Sequence, residues 1–328
     1  MIGQRALGPT GLTVSSVIAG AASWHQRPDG SGIAPEQTVD LVGAMLRDRV
    51  VTTIDTSNNY GFGGSESRIA YALGRNGATT KDVLVQTKAD RARGTSDFSA
   101  PRMRRSLAES MERLGVEHLP MVYLHDPENT TWEAAMSDDG PVAALVAARD
   151  EGLIGGLGIS GGPPDMLRRF VDTGHFDALI THNRFTLVQR TADDLIGHAA
   201  AKGLGVLNAA PYGRGILTRW PRETDTYAYG RASKPMLAAV DRIGALCHDA
   251  GVPLAAAALQ WSLRDPRITA TVVGLQDRSD YERTLELAAV DISDELWAAI
   301  EAVPLDRAHV SRPDAEGPYT RPHEGHDD

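Results

Sequence analysis

Cysteine is nearly absent from this chain of 328 residues. The single Cys247 excludes an intrachain disulfide, and no Cys/His cluster has the spacing of a zinc site. Cys247 follows Ile243, Gly244, Ala245 and Leu246, an apolar run that predicts a small buried hydrophobe. Positive charge is scarce too: 33 Lys and Arg against 43 Asp and Glu leave a net charge of −10, which removes the basic footprint of a nucleic-acid binder. No segment approaches ~18 consecutive apolar residues, and the opening MIGQRALGPTG has no apolar stretch of signal length. The expectation is a cytoplasmic protein without a membrane partner. No repeat, low-complexity block or long linker divides residues 1–328, so one domain is expected.

What is present is the balance of a folded chain, 42% hydrophobic and 23% charged. Short apolar runs alternate with longer amphipathic ones. Strands are predicted at 14–20, 51–57, 82–88, 119–125, 154–160, 178–183, 205–210 and 271–275, most of them rich in Val, Ile and Leu as in parallel sheets covered on both faces. Helices are predicted between them. In 99–114, Met103, Leu107, Met111 and Leu114 share one face, with Ser99 as N-cap and Gly115 as the stop. Pro35 suits the first turn of a helix over 35–48. Further helices are read at 191–202, at 233–250 and 253–264 before the eighth strand, and at 277–289 and 293–303 after it.

Eight such units make a (β/α)8 barrel, which takes ~250 residues, the surplus going to insertions and a tail. An open doubly wound sheet is the alternative. It calls for G-x-G-x-x-G after the first strand, and GAASWH at 20–25 does not supply it. In a barrel the chemistry lies at the C-terminal ends of the strands. There the sequence places Asp55, Lys88, His125, Ser160, and His182 with Asn183, while Tyr60 follows Asp55 by five positions. One charged residue after an apolar strand commonly marks only an exit to solvent; three in consecutive strands are hard to explain by packing.

These pieces resemble the aldo-keto reductases: RALGPTGLTVSSVIAG at 5–20, DTSNNYGFGGSES at 55–67, TK at 87–88, YLHD at 123–126, GLGIS at 156–160, APYGRGIL at 210–217 and VVGL at 272–275. The likeness runs in order over roughly residues 5–303. In HNRFTL, APYGRGIL and the GGP after Ser160 it is similar to the bacterial branch that oxidises aldoses of the fucose or D-threo type, or pyridoxal. The resemblance implies a barrel with an N-terminal β-hairpin cap and extra helices. It also implies hydride transfer between a nicotinamide and a carbonyl or alcohol, served by Asp55, Tyr60, Lys88 and His125.

That set fits the chemistry, because hydride movement at a carbonyl carbon requires a proton to move at its oxygen. Tyr60 would be the acid/base. Its phenol has an ordinary pKa of about 10, which a neighbouring Lys88 ammonium is expected to lower. Asp55 would hold Lys88, and His125 would orient the substrate oxygen. The resemblance implies further that Ser160 and Asn183 meet the nicotinamide carboxamide, and that Ala210, Tyr212, Gly213 and Gly215 follow the pyrophosphate. Gly161 replaces the usual Asn after the serine, and Ala209 stands where many relatives carry a stacking ring. Gly274, Gln276, Arg278, Asp280 and Thr284 would lie along the adenosine. Asp280 takes a position where NADP-preferring members carry Arg, so NAD is expected, with NADP as the alternative that Arg278 favours.

Trp24, His25, Asn59, Phe62 and Trp132 are candidates for the substrate pocket, each with a core-capping role as the competing reading. Trp220 and Trp261 read as packing residues. His323 and His326, in a polar tail over 305–328 that either flexes or covers the pocket, have no partners at metal-ligand spacing, and no metal is expected. The partner is then a small sugar, alcohol or aldehyde, handled by a monomer or small homo-oligomer. Three other readings stay open: an NADPH-dependent aldehyde or ketone reductase, a cofactor-sensing regulatory subunit on the same fold, and a metal-dependent barrel lyase, against which the Lys and Tyr placement speaks.

Overall fold

The computed structural model describes residues 2–26 and 32–305. The tail read at 305–328, with His323 and His326, lies outside the described residues beyond Leu305. Eight parallel strands close into a barrel: β1 (Val17–Gly20), β2 (Thr53–Asp55), β3 (Leu84–Ala89), β4 (Leu119–His125), β5 (Ile154–Gly161), β6 (Ala178–His182), β7 (Gly205–Ala209) and β8 (Ala270–Gly274). Each pairs with the next in chain order, and β8 returns to β1 through Val272↔Ile18. Closure leaves no open edge.

Before the barrel comes a hairpin of Gln4–Ala6 and Thr13–Ser15. Its Leu7 and Val14 are buried against Ile18, Met121 and Leu207 inside the barrel, which plugs the N-terminal end. The segment 14–20, expected as one strand, is therefore two. Ser16 donates its N–H to Gly3 O and Ser15 Oγ donates to Val17 O at 2.6 Å, so the chain corners there. The even run of small and β-branched residues in VSSVIAG hides that corner from pattern reading.

The seven helices given windows follow them to within a residue or two, whereas Gly64–Arg75, Pro141–Asp150 and Pro164–Asp172 form where no window was read. The segment read at 99–114 is Ala100–Leu114, with the Ser99 hydroxyl accepting from Arg102 N–H and Gly115 at φ 68°. Pro35 opens Pro35–Asp48, and two helices, Lys234–Asp249 and Leu254–Leu263, precede β8. Their apolar faces bury Met103, Leu107 and Ile243 against the sheet. Cys247 is buried as expected, and burial pushes its thiol up to about 11. Trp261 lies between Phe185 and Trp297, and Trp220 against His248, both as packing residues. Among the described residues no helix is long and apolar enough to cross a membrane.

Inside the barrel, Tyr123 on β4 is fully buried beneath the C-terminal mouth. It fits because its neighbour on β5 is Gly158, where a Cβ would stand 2.2 Å from the Tyr123 ring. A second hairpin, Thr226–Tyr227 with Gly230–Arg231, lies over the mouth and is not foreseen by pattern. Tyr227 OH fastens it to β6 by donating to Asn183 O at 2.7 Å.

Candidate active site

Side chains alternate along each strand, so residues two apart face the same way. On β4 this carries Tyr123 into the barrel and His125 to its mouth; on β3 it does the same for Gln86 and Lys88. Register then sets the neighbours: Asp55 lies opposite Gln86, Lys88 opposite Tyr123, and His125 opposite Ser160.

The result is a buried polar column. Tyr123 OH donates to Gln86 Oε1 at 3.2 Å, and Gln86 Nε2 donates to Asp55 Oδ1 at 2.8 Å. Asp55 Oδ2 takes the Lys88 ammonium at 2.7 Å. Lys88 Nζ also donates to Thr56 O at 2.7 Å and to Tyr60 OH at 3.2 Å, which satisfies its three protons. A buried ion pair is tolerated only with such complete hydrogen bonding. The His125 ring meets Tyr60 edge-on at 5.7 Å. Asp55, Tyr60, Lys88 and His125, far apart in sequence, converge at one end of the barrel.

Tyr60 is delivered by the turn after β2, where Gly61 and Phe62 adopt φ 58° and 59°. At Gly61 a Cβ would lie 2.3 Å from the His25 ring, so glycine lets that ring close over the turn.

Burial would weaken the Lys88 ammonium, but Asp55 and Tyr60 outweigh it and hold its pKa above the ordinary lysine value. Tyr60 departs from expectation. Burial raises its pKa by more than Lys88 lowers it, with Asp55 adding to the rise, so the phenol is held protonated instead of being brought towards neutrality. At His125, burial lowers the pKa, and the charges of Asp126 and Asp90 more than compensate, raising it to about 9. His182 is pushed down to about 4 by burial and is neutral.

Pattern reading misses Asp90. Its Oδ1 lies 2.7 Å from His125 Nδ1, and its other oxygen accepts from Ser57 Oγ and from Asn59 N–H at 3.0 Å. The signal was available: Lys88 and Asp90 are two apart and share a side of the chain. Also missed are Asp126 and Glu128. Together with His182 each brings one side-chain oxygen or nitrogen within 4.8 Å of the others, a grouping that no sequence spacing announces. Glu128 accepts from Gly162 N–H at 3.1 Å, and burial and the Asp126 charge push its pKa well up. The exposed ring of Tyr229, on the second hairpin, meets His182 edge-on at 6.0 Å.

The pocket candidates divide. Trp24 is fully buried and its Nε1 donates to Leu275 O at 2.6 Å, so it is a core residue and not a pocket wall. Trp132 packs on Phe170 at 4.9 Å with the Arg169 guanidinium over its ring, again as packing. His25 lies on the Tyr60 turn, Asn59 ties that turn to Arg91 O at 3.2 Å, and Phe62 is 73% exposed beneath the Arg93 guanidinium.

Along the other side of the mouth, Ser160 and Asn183 are buried, and Asn183 Oδ1 has no hydrogen-bond partner. Its Nδ2 lies 3.2 Å from His182 Nδ1. Ala210 and Gly213 take φ 58° and 54°, Gly215 φ 100°, and the buried Tyr212 hydroxyl is unpartnered. Asp280 accepts from Gln276 N–H at 2.9 Å. Arg278 is held by Glu282 at 2.7 Å and faces Asp40 at 3.7 Å. The Thr284 hydroxyl donates to Asp280 O at 2.8 Å inside its own helix, which leaves its oxygen only as an acceptor. At Gly274 a Cβ would meet open space.

Residues 16–304 match the Aldo/keto reductase family. L-galactose dehydrogenase of Arabidopsis thaliana is 31% identical over 309 residues, covering 91% of this chain and 93% of that protein. D-threo-aldose 1-dehydrogenase of Pseudomonas sp is 30% identical over 282 residues, covering 77% of this chain and 84% of that protein. The structure of an aldo-keto reductase from Bacillus halodurans, in holo form, has the same fold, with a TM-score of 0.75 at 20% identity over 95% of this chain and 99% of that one. Barrel, strand-end side chains and sequence agree: the chain belongs to the aldo/keto reductase family, whose members are oxidoreductases that use nicotinamide cofactors.

Proposed function

We propose that the protein oxidises an aldose of the fucose or D-threo type to its lactone, with NAD as hydride acceptor. The observation that carries this reading is the Asp55–Lys88–Tyr60 chain of contacts, with His125 beside it at the barrel mouth. The nicotinamide, when bound, supplies the redox chemistry. In the direction of oxidation Tyr60 must first give up its own proton to solvent, and the phenolate then takes the proton of the substrate hydroxyl. The Lys88 ammonium at 3.2 Å favours the phenolate that this requires, and Asp55 balances the Lys88 charge. His125 donates from Nε2 to the substrate oxygen. Asp126, Glu128 and His182 beside it offer acceptors and a donor to a polyhydroxylated substrate, which supports a sugar over a plain aldehyde.

Ser160 and Asn183 would hold the carboxamide, and the unpartnered Asn183 Oδ1 fits an amide N–H. Ala210, Tyr212, Gly213 and Gly215 would follow the pyrophosphate, and Gly274 and Gln276 the adenosine. The Asp280 carboxylate would repel a 2′-phosphate, and Arg278 already has Glu282 as a partner, which supports NAD. We place the protein in the cytoplasm, as its sequence leads one to expect.

A protonated Tyr60 favours a second reading, reduction of an aldehyde or ketone with Tyr60 as proton donor. Following cofactor absorbance with NAD, NADP and their reduced forms across L-fucose, D-threo-aldoses, pyridoxal and simple aldehydes separates the two. Tight cofactor binding without turnover of any of them sinks both and leaves a regulatory protein.

A further inference from the structure

His125 is gripped from behind. Its Nδ1 faces Asp90 Oδ1 at 2.7 Å and Ser57 Oγ at 3.2 Å. Asp90 is 4% exposed and every part of it is held. Its N–H donates to Ser106 Oγ at 3.0 Å, its backbone carbonyl accepts from Arg102 Nε at 2.9 Å, and its second carboxylate oxygen accepts from Ser57 Oγ and Asn59 N–H. A carboxylate so fixed cannot swing to another partner, and it leaves one nitrogen of His125, Nε2, to face Asp126 Oδ1 at 3.6 Å and the pocket.

We propose that Asp90 is a positioning residue for hydride transfer: by accepting from His125 Nδ1 it keeps the imidazole doubly protonated and its Nε2–H aimed at the substrate oxygen. The inference rests on the proposed role of the site. An imidazolium donor gains strength as negative charge develops on that oxygen, either while a carbonyl takes up hydride or while a hydroxyl gives its proton to Tyr60. A charged donor forms a shorter, stronger hydrogen bond than a neutral one. The groups that face the ring are Lys88 and Asp90 from β3 and its exit, Tyr60 and Ser57 from the turn after β2, Asp126 and Glu128 following β4, and His182 from β6. Burial and Lys88 oppose the positive charge. Asp126 and Asp90 outweigh them, and of these only Asp90 touches Nδ1.

The test is an NMR titration of 13C-histidine-labelled enzyme, with His125→Gln identifying the resonance. In the wild type, His125 is expected to stay charged through neutrality and to titrate near 9. Asp90→Asn keeps a hydrogen-bond acceptor without the charge. It should lower that midpoint by about 1–3 pH units and carry the alkaline limb of kcat down with it, leaving KM for the cofactor unchanged. A wild-type imidazole titrating at the ordinary value of about 6.5 overturns the proposal without any variant. So does an Asp90→Asn enzyme that loses the same factor of kcat at every pH with its titration unmoved. The titration needs no turnover, so its failure is distinguishable from failure of the proposed reaction.

Discussion

The Lys88 ammonium spans two barrel strands, joining Asp55 Oδ2 at 2.7 Å while its third proton reaches the Tyr60 hydroxyl at 3.2 Å. In the proposed reaction proton control depends on this contact, and the strength of the contact depends on burial. The same burial that concentrates the Lys88 field also resists ionisation of Tyr60, and here the resistance is the larger effect.

Removing the phenol proton therefore tests the chemistry directly. Tyr60→Phe should lower kcat by about 10²–10⁴-fold, the usual worth of a positioned acid/base, while NADH still binds and quenches tryptophan fluorescence. Full activity in this variant refutes the assignment.

Breaking the ion pair should show in folding as well as in rate. Lys88→Met leaves Asp55 buried with Gln86 as its remaining described side-chain donor, at a cost of about 3–5 kcal/mol in unfolding free energy. Urea denaturation measures it. A loss under ~1 kcal/mol would mean that water reaches the carboxylate.

Stability should follow pH through His125. Its folded pKa, about 9, lies above the unfolded value of about 6.5, so the folded state binds the proton more tightly. That contribution is fully present below about 6.5 and is lost as pH rises through 9. Asp90 shifts the other way: burial opposes its charge, but His125 and the hydrogen bonds prevail and lower its pKa. Its contribution is present above the ordinary carboxylate value and is lost in acid. Unfolding free energies for wild type and His125→Gln between pH 6 and 10 should converge as pH rises. Parallel curves would contradict the assignment.

Cofactor choice turns on Asp280 and Arg278. NAD should give the higher kcat/KM. Asp280→Ser, which removes the negative charge, should raise kcat/KM for NADP roughly tenfold while changing that for NAD little, in line with about 1.4 kcal/mol of lost repulsion. An unchanged NAD-to-NADP ratio places the ribose elsewhere.

The sequence by itself determined the places of the eight barrel strands, seven of the helix windows, the Ser99 and Gly115 caps, and the residues at the strand ends. These depend on local period and on turn chemistry, which a chain carries residue by residue. Asp55, Lys88 and His125 were legible because charged side chains interrupt apolar strands at comparable places. Tertiary structure alone decided the rest. The corner at Ser16 comes from bonds to Gly3 and Val17, and the buried fate of Trp24 from the carbonyl of Leu275, 251 residues on. The Asp90–His125 pair joins two strands whose register no single segment encodes, and the Asp126–Glu128–His182 group forms only when β4 and β6 end at one mouth. The state of Tyr60 was likewise beyond the sequence. Pattern places a lysine near it, but only packing sets how much water the phenol has lost, and that loss decides which way its proton is held.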